Sequence, residues 1–580
     1  MPEGQYPLQI AAVTLSVEGG EAQPWGAPQT RVSENVDGTD SKWDGDEKIG
    51  VQIEGSTETA TYTVQADGTV SSNAPLYWSD RDDHTVNAWY PATPLDLSDQ
   101  TNGLAYLLHG TGRGNYEKPV ELIFTHSLAK VRVTPSKDIG DGEVTSLQLY
   151  TYTTCTHTQG KINTEDAQKG WIKMKKCEYT DNGTTITCWE ANVVPDYEIT
   201  KLRANGNEER TLSSGITPVA GKFYNITLNK DLGYTEVSEG NYTVDNEKGL
   251  KNLAKLVNNG AIDINITLTG NITLTGEWTP IGTEFSKRYT GTFNGDNHTI
   301  SGLIVTGSDE YAGLFRYIGS GGTVKNVKLE DVQIESDNQY ANVGGVAGYS
   351  QGNIENCSVS GSVSGNSNSD GTSNCVGGVV GQQYGGTITE CSSSAIVDGR
   401  NEVGGVAGKT NSATLTACYA TGDVTAERTP TNNTYAGGVV GSNFSSTLIA
   451  CYATGNVIGT GTGTGSIYVG GVTGSNDSGT LTACYHAAET VSGPDGATTG
   501  GVTGRNFEDS ILGKGTLTAC YWENNQKQGI GDNHAGTGET TKVTDGNWTE
   551  AMKAMNAALK SVDSEWRYEL TGKLPTLTKQ

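Results

Sequence analysis

Ten cysteines and seven histidines are the side chains here best suited to chemistry, and six of the thiols recur at one place in a repeated phrase. That phrase reads LTACYATGDV from residue 415, LIACYATGNV from 448, LTACYHAAET from 481 and LTACYWENNQ from 517. A column of thiols offers metal ligation, disulfide formation or plain hydrophobic filling. Zinc needs ligands converging from several directions, usually paired as C-x-x-C or joined by histidine, and neither C-x-x-C nor H-x-x-x-H occurs. Disulfides between adjacent repeats are borderline, because parallel side chains hold the Cβ atoms farther apart than the preferred 3.5–4.5 Å or so. The aligned slot holds Val327, Cys357, Cys391, Cys418, Cys451, Cys484 and Cys520, so valine stands in for cysteine. Such a slot asks for a small buried hydrophobe, which is how an unpaired cysteine usually behaves. Core packing is therefore the reading adopted, with occasional disulfides as the second.

The next slot holds Lys328, Ser358, Ser392, Tyr419, Tyr452, Tyr485 and Tyr521, and alternation places it outside. Tyr419, Tyr452, Tyr485 and Tyr521 form the candidate ligand-binding stripe, for sugars or proteins. A cross-strand aromatic ladder that only stabilises the sheet is the competing reading. Carbohydrate hydrolysis would need carboxylates paired across adjacent repeats, about 5 to 9 Å apart. The alignment supplies none: Asp398, Asp423 and Glu427 sit in turn segments, and Glu390 stands alone in its column. No catalytic residue, metal site or cofactor is expected.

The remaining candidates are isolated. His126 in FTHSLAK reads as a hydrogen-bonded structural histidine, and His298, His486 and His534 are scattered. DGTDSKWDGDE from residue 37 lacks the D-x-[DN]-x-[DN]-G spacing of a calcium loop and reads as a solvated acidic turn. Cys155, Cys177 and Cys188 admit one disulfide in an exported protein, with one thiol left over.

The elements that must carry these residues are short strands. Seventy-eight glycines, fifteen prolines and 34% hydrophobic residues over 580 positions describe several domains of strands and tight turns. A net charge of −27 without clustered Lys or Arg excludes nucleic acid and anionic membrane surfaces as partners. No run of eighteen apolar residues exists, so no transmembrane segment is expected. The opening MPEGQYPLQI lacks the basic start and apolar stretch of a secretory signal, so the native signal segment is expected to be absent from this chain.

Self-similarity is plain between residues 311 and 505. YAGLFRY at 311 is followed by VGGVAGY at 343 (Tyr349), VGGVVGQ at 376, VGGVAGK at 403, AGGVVGS at 436, VGGVTGS at 469 and TGGVTGR at 499. From Gly345 through Gly378, Gly405, Gly438 and Gly471 to Gly501 the steps are 33, 27, 33, 33 and 30 residues. Such a period suits one coil of a parallel β-helix better than a propeller blade of about 40 residues or more. Val324, Ile354, Ile388, Leu415, Leu448, Leu481 and Leu517 form an apolar column three residues before the thiol slot. Two residues three apart cannot both point inward on a flat strand, so a bend is expected between them, at Asn326, Asn356, Glu390, Ala417, Ala450, Ala483 and Ala519. Open ends need caps. DNEKGLKNLAKLVNNG predicts a helix with Asp245 as N-cap, Leu250, Leu253 and Val257 inward and Gly260 at its stop. TEAMKAMNAALK predicts a second, with Met552, Met555 and Leu559 on one face.

The tract from about 240 to 525, with the lead-in WTPIG and GTFNGDNHTISGL and the ending WRYELTGKLPTL, resembles the GLUG repeat family. That resemblance implies a capped solenoid and an extracellular or adhesin-associated setting. The first 230 residues alternate β runs at sandwich spacing, with a break expected near Pro135. WDGDEKIGV, APLYWSD, NAWYP, LIFTHSLAKVRV and AGKFYNITL occur there in the order found in the fimbrillin family, the subunits of type V pili. This resemblance implies export, often as an outer-membrane lipoprotein, and partnership with other fimbrial subunits by β-strand addition. PLQIAAVTLSV is the strand it offers for removal during assembly.

The expected fold class is all-β: a fimbrillin-like β-sandwich region over 1–232, a capping helix and lead-in coils over 233–309, a seven-repeat β-helix over 310–525 and a C-terminal cap over 526–580. Because the sandwich runs straight into repeats, it has no free C-terminal strand to donate. The functional expectation is an exported, cell-surface or fimbrial adhesin-like protein, a tip or accessory subunit, whose β-helix binds a glycan or a host or bacterial surface protein. A carbohydrate-active enzyme and a non-binding structural surface protein are the rivals.

Overall fold

The computed structural model describes residues 6–15, 33–34, 41–91, 95–137, 139–140, 142–181, 184–206, 208–365, 374–534 and 537–580. The chain divides into two units, Met1–Lys230 and Asp231–Gln580. The acidic stretch expected at residue 37 begins outside the described residues.

The first unit has two cores. One lies on a seven-stranded sheet running Ile10–Leu15, Val120–His126, Leu108–Gly114, His84–Tyr90, Glu47–Ile53, Thr59–Val64 and Val70–Ser71. Ile10–Leu15 joins its edge in parallel, and the pairs inside the sheet are antiparallel. Trp43, Trp78 and Phe124 fill this core. A Cβ on Gly50 would fall 2.3 Å from the Trp89 ring, so glycine is what lets that indole lie across the strand. The second core is a sandwich of two four-stranded sheets, one holding Lys175–Asp181, Thr184–Val193, Ala129–Pro135 and Phe223–Leu228. LIFTHSLAKVRV bridges the two, because Val120–His126 belongs to the first sheet and Ala129–Pro135 to the second. The changeover thus falls at 127–128, ahead of Pro135, which closes its strand opposite Leu228.

Alternation in AKVRV sends Val131 and Val133 into the second core and Lys130 and Arg132 to the other face. Both cations are nevertheless buried, clasping Glu190 at 2.9 and 2.5 Å. The rings of Tyr179 and Phe223 lie 4.3 and 5.0 Å from the Arg132 guanidinium. A buried carboxylate is tolerable only when paired in this way.

The coils of the second unit stack through parallel strands in four ladders. Register fixes the columns: Val324, Ile354, Ile388, Leu415, Leu448, Leu481 and Leu517 pair in succession, each with the next. All seven are buried, as are Val327 and the six cysteines three residues later. The bend between them is a left-handed residue in every coil, with φ between 48° and 58° at Asn326, Asn356, Glu390, Ala417, Ala450, Ala483 and Ala519. Asparagine tolerates that conformation, and alanine pays about 1–2 kcal/mol for it. The switch to alanine has a cause in packing: from Ala417 on, the column lies under the C-terminal segment, where a longer side chain would hold that segment off.

Helix α1, Glu247–Asn258, buries Leu250, Leu253 and Val257, and Gly260 follows it at φ 123°. Its N-cap is Asn246, one residue beyond the expected Asp245, and its side chain accepts from the Gly249 N–H. Helix α2, Thr549–Ser561, buries Met555 and Leu559, while Met552 is half-buried. Together with the hairpin Trp566–Leu570 and Pro575–Lys579 it lies along the side of the last coils, over Tyr452 and Tyr485.

A candidate binding groove between two ladders

Each coil repeats a strand, a corner that is Gly-Gly in six coils and Gly313-Leu314 in the first, and a second strand, and one outward residue brackets each side of that phrase. The first bracket runs Tyr311, Asn342, Cys375, Glu402, Tyr435, Tyr468 and Thr498, paired coil to coil. The second runs Tyr317, Tyr349, Gln382, Lys409, Ser442, Ser475 and Arg505. At a convex corner these side chains would splay apart. Here they meet: the Tyr311 and Tyr317 rings are 4.6 Å apart, and Lys409 Nζ is 2.7 Å from Glu402 Oε1. The corner is therefore re-entrant, and its two walls form a groove along the stack.

Glycine makes the fold-back feasible. A Cβ on Gly348 would lie 2.7 Å from the Asn342 carbonyl oxygen, and one on Gly408 would lie 2.4 Å from the Val376 nitrogen. From the second coil on the two strands cross at backbone contact, which a larger residue would prevent; the first coil, with no coil of this kind before it, carries Arg316 at that position.

Three regions follow one another along the groove. In the first two coils Tyr311, Tyr317 and Tyr349 cluster, with the 56% exposed Phe285 at 6.0 Å from Tyr317. Arg288 covers the Phe285 ring at 4.0 Å. In the middle, a cavity of about 220 Å³ is lined by Glu310, Tyr340, Asn342, Cys375, Gln382 and Lys409. The Cys375 thiol donates to Glu402 Oε2 at 3.0 Å. Burial and the Glu402 carboxylate hold this thiol well above its ordinary range, so it is a protonated donor rather than a nucleophile. Burial alone would lower the Lys409 ammonium, but the facing Glu402 outweighs it and the group titrates above its usual range. Farther on, the Tyr435 and Tyr468 rings stack at 5.5 Å, and Arg505 donates to the Tyr435 hydroxyl at 3.3 Å. Asp477 lies 3.6 Å from Arg505, its carboxyl raised by burial.

This arrangement suits recognition. It combines half-buried aromatic faces, amides and hydroxyls; Lys409 and Arg505 are matched by carboxylates, and Arg288 donates to the Gln351 amide oxygen. Among the described residues no group of three His, Cys, Asp or Glu side chains could hold a metal ion, and no helix is long and apolar enough to cross a membrane.

The expected tyrosine stripe sits elsewhere, and its exposure needs correcting. Tyr419, Tyr452, Tyr485 and Tyr521 do pair in register, with Tyr419, Tyr452 and Tyr485 stacked at 5.0 and 4.8 Å. Yet Tyr485 is 0% and Tyr452 8% exposed, while Tyr419 and Tyr521 are half-buried. Trp548 and Tyr568 pack on Tyr485, whose hydroxyl donates to the Pro575 carbonyl at 2.6 Å. The outward face of the coil has become a seat for the C-terminal segment.

The other candidates resolve individually. The cysteine column contacts backbone carbonyls, as Cys418 Sγ does with Ile388 O at 3.3 Å. His486 is not isolated: it is buried, bonds through Nε2 to the Gly455 carbonyl at 3.0 Å and through Nδ1 to the Asn524 amide at 2.9 Å. His534 pairs with Asp532 at 3.1 Å. His126 is buried, which pushes its imidazole down to about 3. Glu390 is 3.1 Å from Lys579, Glu427 is 2.6 Å from Arg400, and Asp423 accepts from the Asn456 N–H at 2.8 Å. Cys177 and Cys188 stand opposite each other in an antiparallel pair, and Cys155 is buried in the second core.

The groove residues were missed by reading the repeats for what recurs. Their signal was variation: the positions flanking a phrase that is Gly-Gly in six of the seven coils change from coil to coil.

Comparison with known proteins places these two units beside known families. The fimbrillin-like family matches residues 30–247, and the GLUG motif matches 339–364 and 372–398. Halomucin of Haloquadratum walsbyi is 30% identical over 237 residues, which is 38% of this chain and 2% of halomucin. A Gly-rich protein of Evansella cellulosilytica, provisionally named a membrane protein, is 37% identical over 83 residues, 14% of this chain and 10% of that protein. The chain thus spans a small part of the curated relatives it matches. Among solved structures, a provisionally named immunoglobulin A1 protease of Bacteroides ovatus aligns with TM-score 0.38 and 17% identity, over 60% of this chain and 94% of its own. A provisionally named cell adhesion protein of Bacteroides uniformis aligns with TM-score 0.27 and 18% identity, over 38% and 91%.

Proposed function

We propose that this chain, a fimbrillin-like region followed by a GLUG-motif β-helix, is an exported surface adhesin-like protein, a tip or accessory fimbrial subunit whose coils meet a glycan or surface protein. The observation that carries the reading is the re-entrant groove. A scaffold whose backbone groups are spent on its own ladders still offers aromatic and polar side chains along the groove, the tyrosines half-buried and therefore held in place. The accessory role draws support from connectivity. The strand Phe223–Leu228 of the second core is followed at once by Tyr234–Ser238, which opens the coil stack, so that strand is tied to the repeats. Its β-strand partner would be accepted rather than supplied.

Two experiments test this. Beads coated with the full chain should adhere to epithelial or bacterial surfaces, and Tyr317→Ala with Tyr349→Ala should cut adhesion at least tenfold while Tyr419→Ala leaves it unchanged. Equal adhesion by the groove variant would remove the groove from the function. Mixed with stalk pilins, the chain should be found at fibre ends, and incorporation along the fibre would end the tip assignment.

A further inference from the structure

Resting on the groove as the binding surface, we infer that its ligand is a neutral, extended glycan lying along the coil axis and held at two aromatic patches. The geometry points first to the direction of the ligand. Successive coils repeat at about 4.8 Å, so equivalent side chains recur at that interval along the groove. An extended peptide advances about 3.3 Å per residue and, added to a sheet, would need free strand edges. Between the terminal strands Tyr311–Ala312 and Thr498–Gly500 the first wall has none to spare, because each strand there is bonded to the coils on both sides, and the two end edges run across the groove rather than along it. A chain of pyranose rings, with a rise near that of one coil per sugar, can keep step with the walls using side-chain contacts alone.

The surface chemistry agrees. Sugars present an apolar C–H face and a rim of hydroxyls. Aromatic faces carry a negative quadrupole that attracts the former. Tyr317 and Tyr349 at one end and Tyr435 and Tyr468 at the other supply such faces, and all four are half-buried. Between them the half-buried Gln382 offers an amide to the hydroxyls at the central cavity.

Charge then selects within the glycans. Lys409 is committed to Glu402 and Arg505 to Asp477, and Arg288 at the first patch is engaged by the Gln351 amide oxygen and the Phe285 ring, which leaves one cation without a carboxylate along the whole groove. The chain carries −27 overall, which opposes a polyanion further. A neutral polymer meets neither obstacle.

The spacing of the patches makes the inference quantitative. Tyr317 lies in the first coil and Tyr468 in the sixth, five steps of about 4.8 Å or about 24 Å apart. A two- or three-unit oligomer can occupy one patch. An oligomer of six or seven units reaches both, and joining two weak contacts in one ligand raises affinity about 100-fold or more.

Titration calorimetry on the full chain, with β-glucan, β-mannan and β-galactan oligomers of two to seven units and polygalacturonate as the anionic probe, tests this. At least one neutral series should bind, with affinity rising about 100-fold from three to six or seven units and changing less than about twofold in 1 M salt. Tyr317→Ala with Tyr349→Ala, and separately Tyr468→Ala, should each return the long oligomer to the affinity of the short one. Preference for polygalacturonate, affinity independent of length, or no binding to any neutral series would overturn the inference. Bead adhesion separates the levels: groove-dependent adhesion without neutral-glycan binding defeats only the ligand class, whereas groove-independent adhesion defeats the proposed function too.

Discussion

Truncation of Tyr485 gives the sharpest test of how the C-terminal segment is held. The ring stacks on Tyr452 at 4.8 Å with planes 2° apart, and it is covered by Trp548 at 4.9 Å and Tyr568 at 5.6 Å. Its hydroxyl donates to the Pro575 carbonyl at 2.6 Å. Removing a fully buried aromatic side chain costs about 3–5 kcal/mol. Removing the hydroxyl alone, as in Tyr485→Phe, costs about 1–2 kcal/mol because the carbonyl loses its donor. Where the loss is felt follows from the packing. Tyr485 belongs to a cluster with Trp548, Met555, Leu559 and Tyr568, whereas Leu481 and Cys484 of the same coil belong to the interior of the stack. Tyr485→Ala should therefore free residues 549–579 while the coils stay closed. At about 1.4 kcal/mol per decade, amide exchange in that segment should quicken by two to three and a half orders of magnitude or so. Exchange measured by mass spectrometry on peptic fragments reads both regions at once. Unchanged protection of 549–579 would refute the docking argument, and joint opening of 549–579 with the coils at 434–500 would refute the separation of the two clusters.

Other perturbations read other parts of the fold. Cys451→Val should shift unfolding free energy by less than about 1.5 kcal/mol, since Val327 fills the equivalent slot; a loss above about 3 kcal/mol in denaturant titration would contradict the filler role. Glu190→Gln leaves Lys130 and Arg132 buried without a counter-charge and should cost about 3–5 kcal/mol, read as a fall in Tm, with a neutral result refuting the pairing. Burial pushes the His486 imidazole down to about 4 from 6.5. Between those values the unfolded chain binds the proton and the folded chain does not, so stability is lost as pH falls through that window, by about 3 kcal/mol in full. His486→Gln should abolish this share of the acid sensitivity, measured as the parent-minus-variant difference at pH 7 and pH 4. Cys177 and Cys188 share an antiparallel register, where Cα separations of about 4.5–5.5 Å fall in the range a disulfide spans. Oxidised glutathione should therefore protect those two thiols, but not Cys155, from alkylation after denaturation, and equal labelling of all three would defeat the pairing.

The interior of the coils was readable without coordinates because repetition turns one strand's alternation into seven aligned observations. Val327 in a cysteine slot showed what the slot required, and two inward residues three apart demanded the left-handed bend that Ala417 and Ala450 adopt. The helices were readable from their own caps and periodicity, with an error of one residue at Asn246. Those features depend on neighbours along the chain or on the adjacent coil, and their chemistry is written in the repeat itself.

What lies outside a coil was decided by tertiary structure alone. Alternation correctly turned Tyr485 away from the coil interior, but whether that direction meets water depended on Pro575, 90 residues onward. Likewise the residues flanking each Gly-Gly phrase pointed outward, and only the fold-back of one wall on the other, at Gly348 and Gly408, made them face each other. Side-chain direction is a local property of the backbone. Exposure and convergence are properties of everything else that packs nearby, so the sequence by itself determined the rod, and the assembled fold chose which of its faces remained available.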